Sequence, residues 1–152
     1  MRRKDKEISD ESDIKAIIKK AVVCRLGMVN GNKPYIVPLC FGYQGNALYF
    51  HGALKGQKID CLRNNPNVCF EFDLIAEPKE SEEPCSWSMN YQSVIGFGKA
   101  VFVEDSDEKH KALSIIMAQY SEKQFEFPEN KIKATIIIKV EIESMTGKQS
   151  GL

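Results

Sequence analysis

The chain has 152 residues, 43% of them hydrophobic and 28% charged, which is ordinary globular usage and unlike a disordered or membrane-spanning chain. Lys plus Arg and Asp plus Glu both number 21, a formal charge of zero, so no general attraction to nucleic acid or to an acidic membrane is expected. With no linker or internal repeat, residues 1–152 are expected to form one domain, and without an apolar leader after Met1-Arg2-Arg3-Lys4 the expected location is the cytoplasm.

In chain order, Asp10 and Asp13 precede Ile14, Ile17, Ile18 and Ala21 at helical spacing, which predicts a short amphipathic helix with an acidic first turn. Val22 to Val29 then reads as a strand, Asn30-Gly31-Asn32 as a turn and Tyr35 to Tyr43 as the returning strand of a hairpin. Pro38 interrupts that second strand. Proline cannot donate to a ladder, so the strand must lie at an edge, be bulged, or face something other than another strand.

Gln44-Gly45-Asn46 turns into a third strand, Ala47 to His51. Residues 52–65 read as a loop leading into a short helix stopped at Asn65-Pro66. Asn67 to Ile75 alternates with Val68, Phe70, Phe72 and Leu74 inward and Glu71 and Asp73 outward, a clear strand. The acidic stretch Ala76 to Pro84 lacks periodicity and is expected to be an exposed loop. Tyr91 to Glu104 forms a fifth strand in which Gly96 and Gly98 suggest a bend, a bulge or a close backbone approach. Asp105 with Glu108 caps a helix running to about Ser121, and Ala134 to Met145 is the last strand. Six short antiparallel strands with a few short helices predict a mainly β, antiparallel barrel with helical covers, with an open sandwich as the alternative.

Five cysteines, Cys24, Cys40, Cys61, Cys69 and Cys85, are an odd number without C-x-x-C spacing. Neither a disulfide framework nor a metal knuckle is suggested. Reduced thiols, mostly buried, are expected, with Cys85 the exposed one.

Chemistry concentrates in Tyr49-Phe50-His51-Gly52-Ala53-Leu54-Lys55-Gly56-Gln57-Lys58. Gly56 can turn free amides outward at a helix start, the helix dipole favours negative charge, and Lys58 adds a full positive charge. The pattern suits an anion such as phosphate, although a Gly-Lys turn is also an ordinary solvated loop.

The order PYIVPLCFGY, ALYFHGALKGQK, NVCFEF, YQSVIGFGKAVFV and the late Thr146-Gly147-Lys148 resembles the flavin-binding split barrels of the pyridoxamine 5'-phosphate oxidase-like superfamily, and most closely its nitroimidazole-resistance branch. The resemblance implies flavin mononucleotide (FMN) as cofactor, held in the groove of a homodimer. It implies that Val37, Pro38 and Leu39 run along the flavin and ribityl chain, that His51 and Gly52 lie beside the ribityl-phosphate end, that Lys58 with Gln57 next to it binds the phosphate, and that Ser93 touches the cofactor. His51 is the tentative catalytic residue, and an ordinary half-buried histidine is its alternative. Gln57 stands where the family usually carries Arg or Lys.

Arginine occurs only at positions 2, 3, 25 and 63. Pyridoxal-phosphate synthesis, which needs an arginine-rich substrate site, is therefore not expected. The implied activity is reduction of a small acceptor such as a nitroaromatic; the alternative is a flavin-binding or flavin-carrying module without turnover. Trp87 and Tyr91 are expected to be core or dimer-interface aromatics.

Overall fold

The computed structural model describes residues 3–151. After a single 3₁₀ turn at Lys4–Lys6 come β1 (Glu7–Ile8), α1 (Glu11–Lys20), β2 (Cys24–Asn30), β3 (Lys33–Leu39), β4 (Gly42–Gln44), β5 (Ala47–Gly52) and α2 (Gln57–Asn64). The chain continues through β6 (Asn67–Lys79), a 3₁₀ turn at Pro84–Ser86, β7 (Ser88–Val103), α3 (Ser106–Ala118), α4 (Glu129–Lys133) and β8 (Ile136–Ser150). The strands form one antiparallel sheet in the order β3-β2-β6-β7-β8-β5-β4, with β1 added to β8. The architecture is the mainly β, antiparallel split barrel expected, open between its two edge strands β3 and β4.

Eight strands replace the six anticipated. The two-residue β1 is too short to leave a periodic trace. The strand expected over Tyr35 to Tyr43 is divided at Cys40–Phe41, where Phe41 turns fully inward. The loop expected from Ala76 to Pro84 is in part a ladder, since Glu77, Pro78 and Lys79 pair with Asn90, Met89 and Ser88. That ribbon projects past the core. Neither of its faces is buried, so no alternation marked it. The last strand likewise continues beyond Met145 to Ser150, pairing with Tyr91 to Ile95.

The interior is filled by Leu26, Phe41, Leu48, Phe50, Phe70, Phe72, Val94, Ile138 and Val140, each no more than 1% exposed. Phe41 and Phe72 meet at 4.8 Å between ring centroids, within the range of favourable tilted pairs. The register of β7 against β8 slips between Phe97 and Gly98, where the glycines led us to expect an irregularity.

The helices pack on two sides of the sheet: α1 joins the main core, whereas α3 lies against β4 and β5, where Ala112 is buried with Val103 and Ile137 in a second cluster. In α1, Asp10 caps by accepting from the Ser12 amide at 2.8 Å, and Ile14, Ile17 and Ile18 are buried. In α3, Asp105 accepts from the Glu108 amide at 2.9 Å. Helix α3 lies so close to β4 that a Cβ on Gly42 would sit 2.6 Å from the Ile116 nitrogen; only glycine admits that approach. At the end of α3, the Gln119 amide donates to the carbonyls of Ile18, Lys19 and Ala21 at 3.0–3.2 Å, satisfying the last acceptors of α1. No described helix is long and apolar enough to cross a membrane.

The cysteines correct one expectation. Cys24 and Cys61 are buried, but Cys40, Cys69 and Cys85 are exposed. Cys69 occupies an outward position of β6, and Cys40 sits at the bend after β3, so apolar neighbours in sequence did not mean an inward side chain.

Candidate functional site

The segment leaving β5 sets a half-buried lysine at the start of α2. Gly56 has φ +137° and ψ 168°, which an L side chain rarely adopts, and it starts α2 there. Its carbonyl accepts from Ile59 and Asp60 at 2.9 and 3.1 Å. The amides of Gln57 and Lys58, in the first turn of α2, have no acceptor among the described residues, the usual state of a helix start awaiting an anion.

Lys58 points back over β5: a Cβ on Gly52 would lie 3.2 Å from its Nζ. The ammonium group is half-buried and has neither hydrogen bond nor ion pair among the described residues. Burial pushes its pKa down from the ordinary lysine value. A partly desolvated charge without a counter-ion is unfavourable unless an anion arrives. His51, Lys55 and Gln57 are exposed, and His51 points to the face of β5 opposite the one on which a Gly52 Cβ would meet Lys58.

The second region is the edge strand β3. The two-residue turn at Gly31-Asn32 joins Asn30 to Lys33, and a β-turn bonds its first and fourth residues. Antiparallel pairs alternate between bonded and non-bonded. Lys33, Tyr35, Val37 and Leu39 therefore turn their backbone groups to β2, whereas Pro34, Ile36 and Pro38 turn theirs to the open edge. Both prolines stand where a missing N–H takes nothing from the ladder. Val37 and Leu39 pack against the core, while Pro38 is exposed. Of the three residues expected along a flavin, Pro38 alone offers its backbone to the free edge, and it offers only a carbonyl.

The third region is the outer face of β2, β6 and β7. Arg25, opposite Pro38, donates to Glu71 at 3.0 Å and also to Asp73. Asp73 in turn lies opposite Ser93, whose other neighbour is Lys148 of β8. Beside this charged row, a groove of about 560 Å³ is lined by Gly27, Val29, Pro34, Ile36, Cys69 and Phe97. Ile36 and Phe97 are 62% and 55% exposed, an unusual density of open apolar surface. Trp87, expected in a core or an interface, is 51% exposed and donates from Nε1 to the Ser81 carbonyl at 2.6 Å.

One chain thus gathers His51, Gly52, Gln57 and Lys58 at one end of the barrel and Pro38 with Ser93 on another surface. His51 is opposite Ile137 whereas Ser93 is opposite Lys148, a strand contour of roughly 35 Å at about 3.3 Å per residue. Sequence reasoning missed the Arg25–Glu71–Asp73 row and the apolar groove. The available signal was that β7 carries Ile95, Phe97 and Val101 at outward positions alternating with Val94 and Ala100 inward, so both faces of the strand are apolar.

A profile of the pyridoxamine 5'-phosphate oxidase family matches residues 10–149. The chain belongs to this family. Its fold agrees with a Bacteroides thetaiotaomicron crystal structure described as a 5-nitroimidazole antibiotic resistance protein, at 38% identity and TM-score 0.85, over 93% of this chain and 85% of that one. Two more distant structures share the fold at TM-score 0.88. They are the flavocytochrome Anf3 of Azotobacter vinelandii, at 20% identity over 100% and 72% of the two chains, and a FAD and heme binding protein of Mycobacterium smegmatis, at 16% over 97% and 74%. An uncharacterized Rhizobium meliloti protein is 29% identical over 73 residues. That match spans about half of each chain, 48% in both cases.

Proposed function

We propose that this protein binds FMN, with the phosphate ester seated on Lys58 Nζ and the free amides of Gln57 and Lys58, and that it uses the flavin to reduce a small acceptor such as a nitroaromatic. The observation that carries the reading is the half-buried Lys58 ammonium against Gly52, without a partner among the described residues. A dianionic phosphate supplies the missing counter-ion and accepts from both orphan amides. Several structures of this fold are described as binding flavins, and the most similar in sequence of those compared above is described by resistance to a nitroaromatic drug.

The working unit in this proposal is a homodimer. The outer groove around Ile36 and Phe97 is where a second copy packs, and that contact carries Pro38 and Ser93 of one subunit to the Lys58 end of the other. A two-fold contact of this kind is the commonest way a soluble chain covers such a face. The bound flavin supplies the electron transfer; the chain binds, orients and desolvates it. Pyridoxal-phosphate synthesis forms no part of the proposal. Arg3 is paired with Asp5, Arg25 is engaged by two carboxylates, and Arg63 lies 5.4 Å from the centre of the Phe102 ring, so the described residues hold no arginine cluster for a second phosphate.

The test is titration of the purified chain with FMN, followed by flavin fluorescence. Saturable quenching is expected, and a protein that leaves FMN fluorescence and its own melting temperature unchanged would contradict the reading. His51, the tentative catalytic residue, is exposed and without a hydrogen bond among the described residues, which favours a second reading as a flavin carrier. Stopped-flow reduction with NADPH and reoxidation by a nitroimidazole distinguishes the two: a bound flavin that never cycles supports the carrier.

A further inference from the structure

The bend between β3 and β4 is built around a hydroxyl group from another element. Extending the β2–β3 register two positions past Cys24 and Leu39 brings Val22 opposite Phe41, and by the alternation above this is the next hydrogen-bonded rung. The rung is not closed directly. The Phe41 amide donates to Tyr120 Oη at 2.9 Å, and the same hydroxyl donates to the Val22 carbonyl at 3.0 Å. Tyr120 is thus wedged into the ladder, satisfying two groups that would otherwise be orphaned.

We propose that Tyr120 is a positioning residue for the flavin edge, its hydroxyl holding β3 away from β2 at Phe41 and so fixing where the Pro38 carbonyl lies. The inference rests on the FMN reading but concerns a residue far from the phosphate. Two features make the wedge firm. Helix α3, which carries Tyr120 just past its end, is pressed onto Gly42 at 2.6 Å from where a side chain would begin. The Tyr120 ring meets Phe41 edge-on, with centroids 6.5 Å apart. Burial, the main cause, pushes the phenol pKa up to about 12, so the hydroxyl keeps the proton that the Val22 carbonyl accepts. Without the hydroxyl, the rung either closes directly, drawing the end of β3 towards β2, or stays unmade.

The experiment compares full-length Y120F with the wild type in FMN affinity, visible flavin spectrum and apo melting temperature. About a tenfold weakening of FMN binding is expected, the usual worth of one such bond, together with a changed spectrum. Q119A, which removes the neighbouring cap on α1 but does not touch β3, is expected to melt lower and bind FMN as the wild type does. Y120F with lowered stability but unchanged affinity and spectrum would make Tyr120 merely structural and overturn the proposal. A wild type that binds no flavin defeats the FMN reading and this inference with it. Should Y120F not fold, the wild-type Phe41 amide resonance serves: it is expected to move on FMN addition, and an unmoved resonance overturns the proposal.

Discussion

The two faces of β7 are built from similar residues and behave oppositely. Inward, Val94 and Ala100 are 0% and 6% exposed, buried in the core cluster of the same chain, with α1 packed against β7. Outward, Ile95 and Phe97 are 47% and 55% exposed, left open by the described residues. A strand apolar on both faces serves two interiors. The fold completes the inner one, and in our proposal a second copy completes the outer one. In that proposal the difference separates residues that decide whether the chain folds from residues that decide what it assembles with.

Breaking the inner face should have the largest effect. Phe72→Ala removes a ring that is 0% exposed and is expected to lower unfolding stability by about 3–5 kcal/mol, read from urea unfolding monitored by circular dichroism. On the outer face, Phe97→Asp should leave that midpoint nearly unchanged and convert the dimer to a monomer in light scattering. A stable dimer in this variant would move the interface elsewhere. Lys58→Ala is expected to weaken FMN binding by about 1.5–3 kcal/mol, as for a charge-assisted bond, measured by fluorescence titration.

Lys58 also sets a pH dependence. Burial holds its pKa below the ordinary lysine value, and a bound phosphate raises it, so binding takes up a proton once the free amine has deprotonated. FMN affinity should therefore fall as the pH rises through that lowered pKa, and K58A should lose this alkaline slope. The smallest effect belongs to Pro38→Ala. The added N–H faces the open edge, so stability should change by less than about 1 kcal/mol, whereas Val37→Pro one residue away deletes a ladder donor and is expected to cost about 3 kcal/mol or more.

The inner face was the readable one. The alternation of Val68, Phe70, Phe72 and Leu74 and the helical spacing of Ile14, Ile17 and Ile18 located β6 and α1, because burial on one side imposes a period. Pro38 narrowed β3 to an edge, a bulge or an open face, and the sheet order shows it to be the edge. The β6–β7 ribbon was not readable: with solvent on both faces, neither period applies. The bend at Cys40–Phe41 escaped notice because its cause, the Tyr120 hydroxyl, lies 79 residues away along the chain. At the site, Gly56 and Lys58 announced a cationic turn by residue type, but that Lys58 lacks a counter-ion is a matter of three-dimensional neighbours.

The placement of Pro34 and Pro38 has a further consequence. An exposed strand edge is a template on which other chains can zip up and aggregate. Here, of the three edge-facing positions 34, 36 and 38, only Ile36 has an N–H to donate, so an incoming strand finds acceptors and a single donor. The barrel can thus keep one side open to a small molecule at high protein concentration without inviting polymerisation along it.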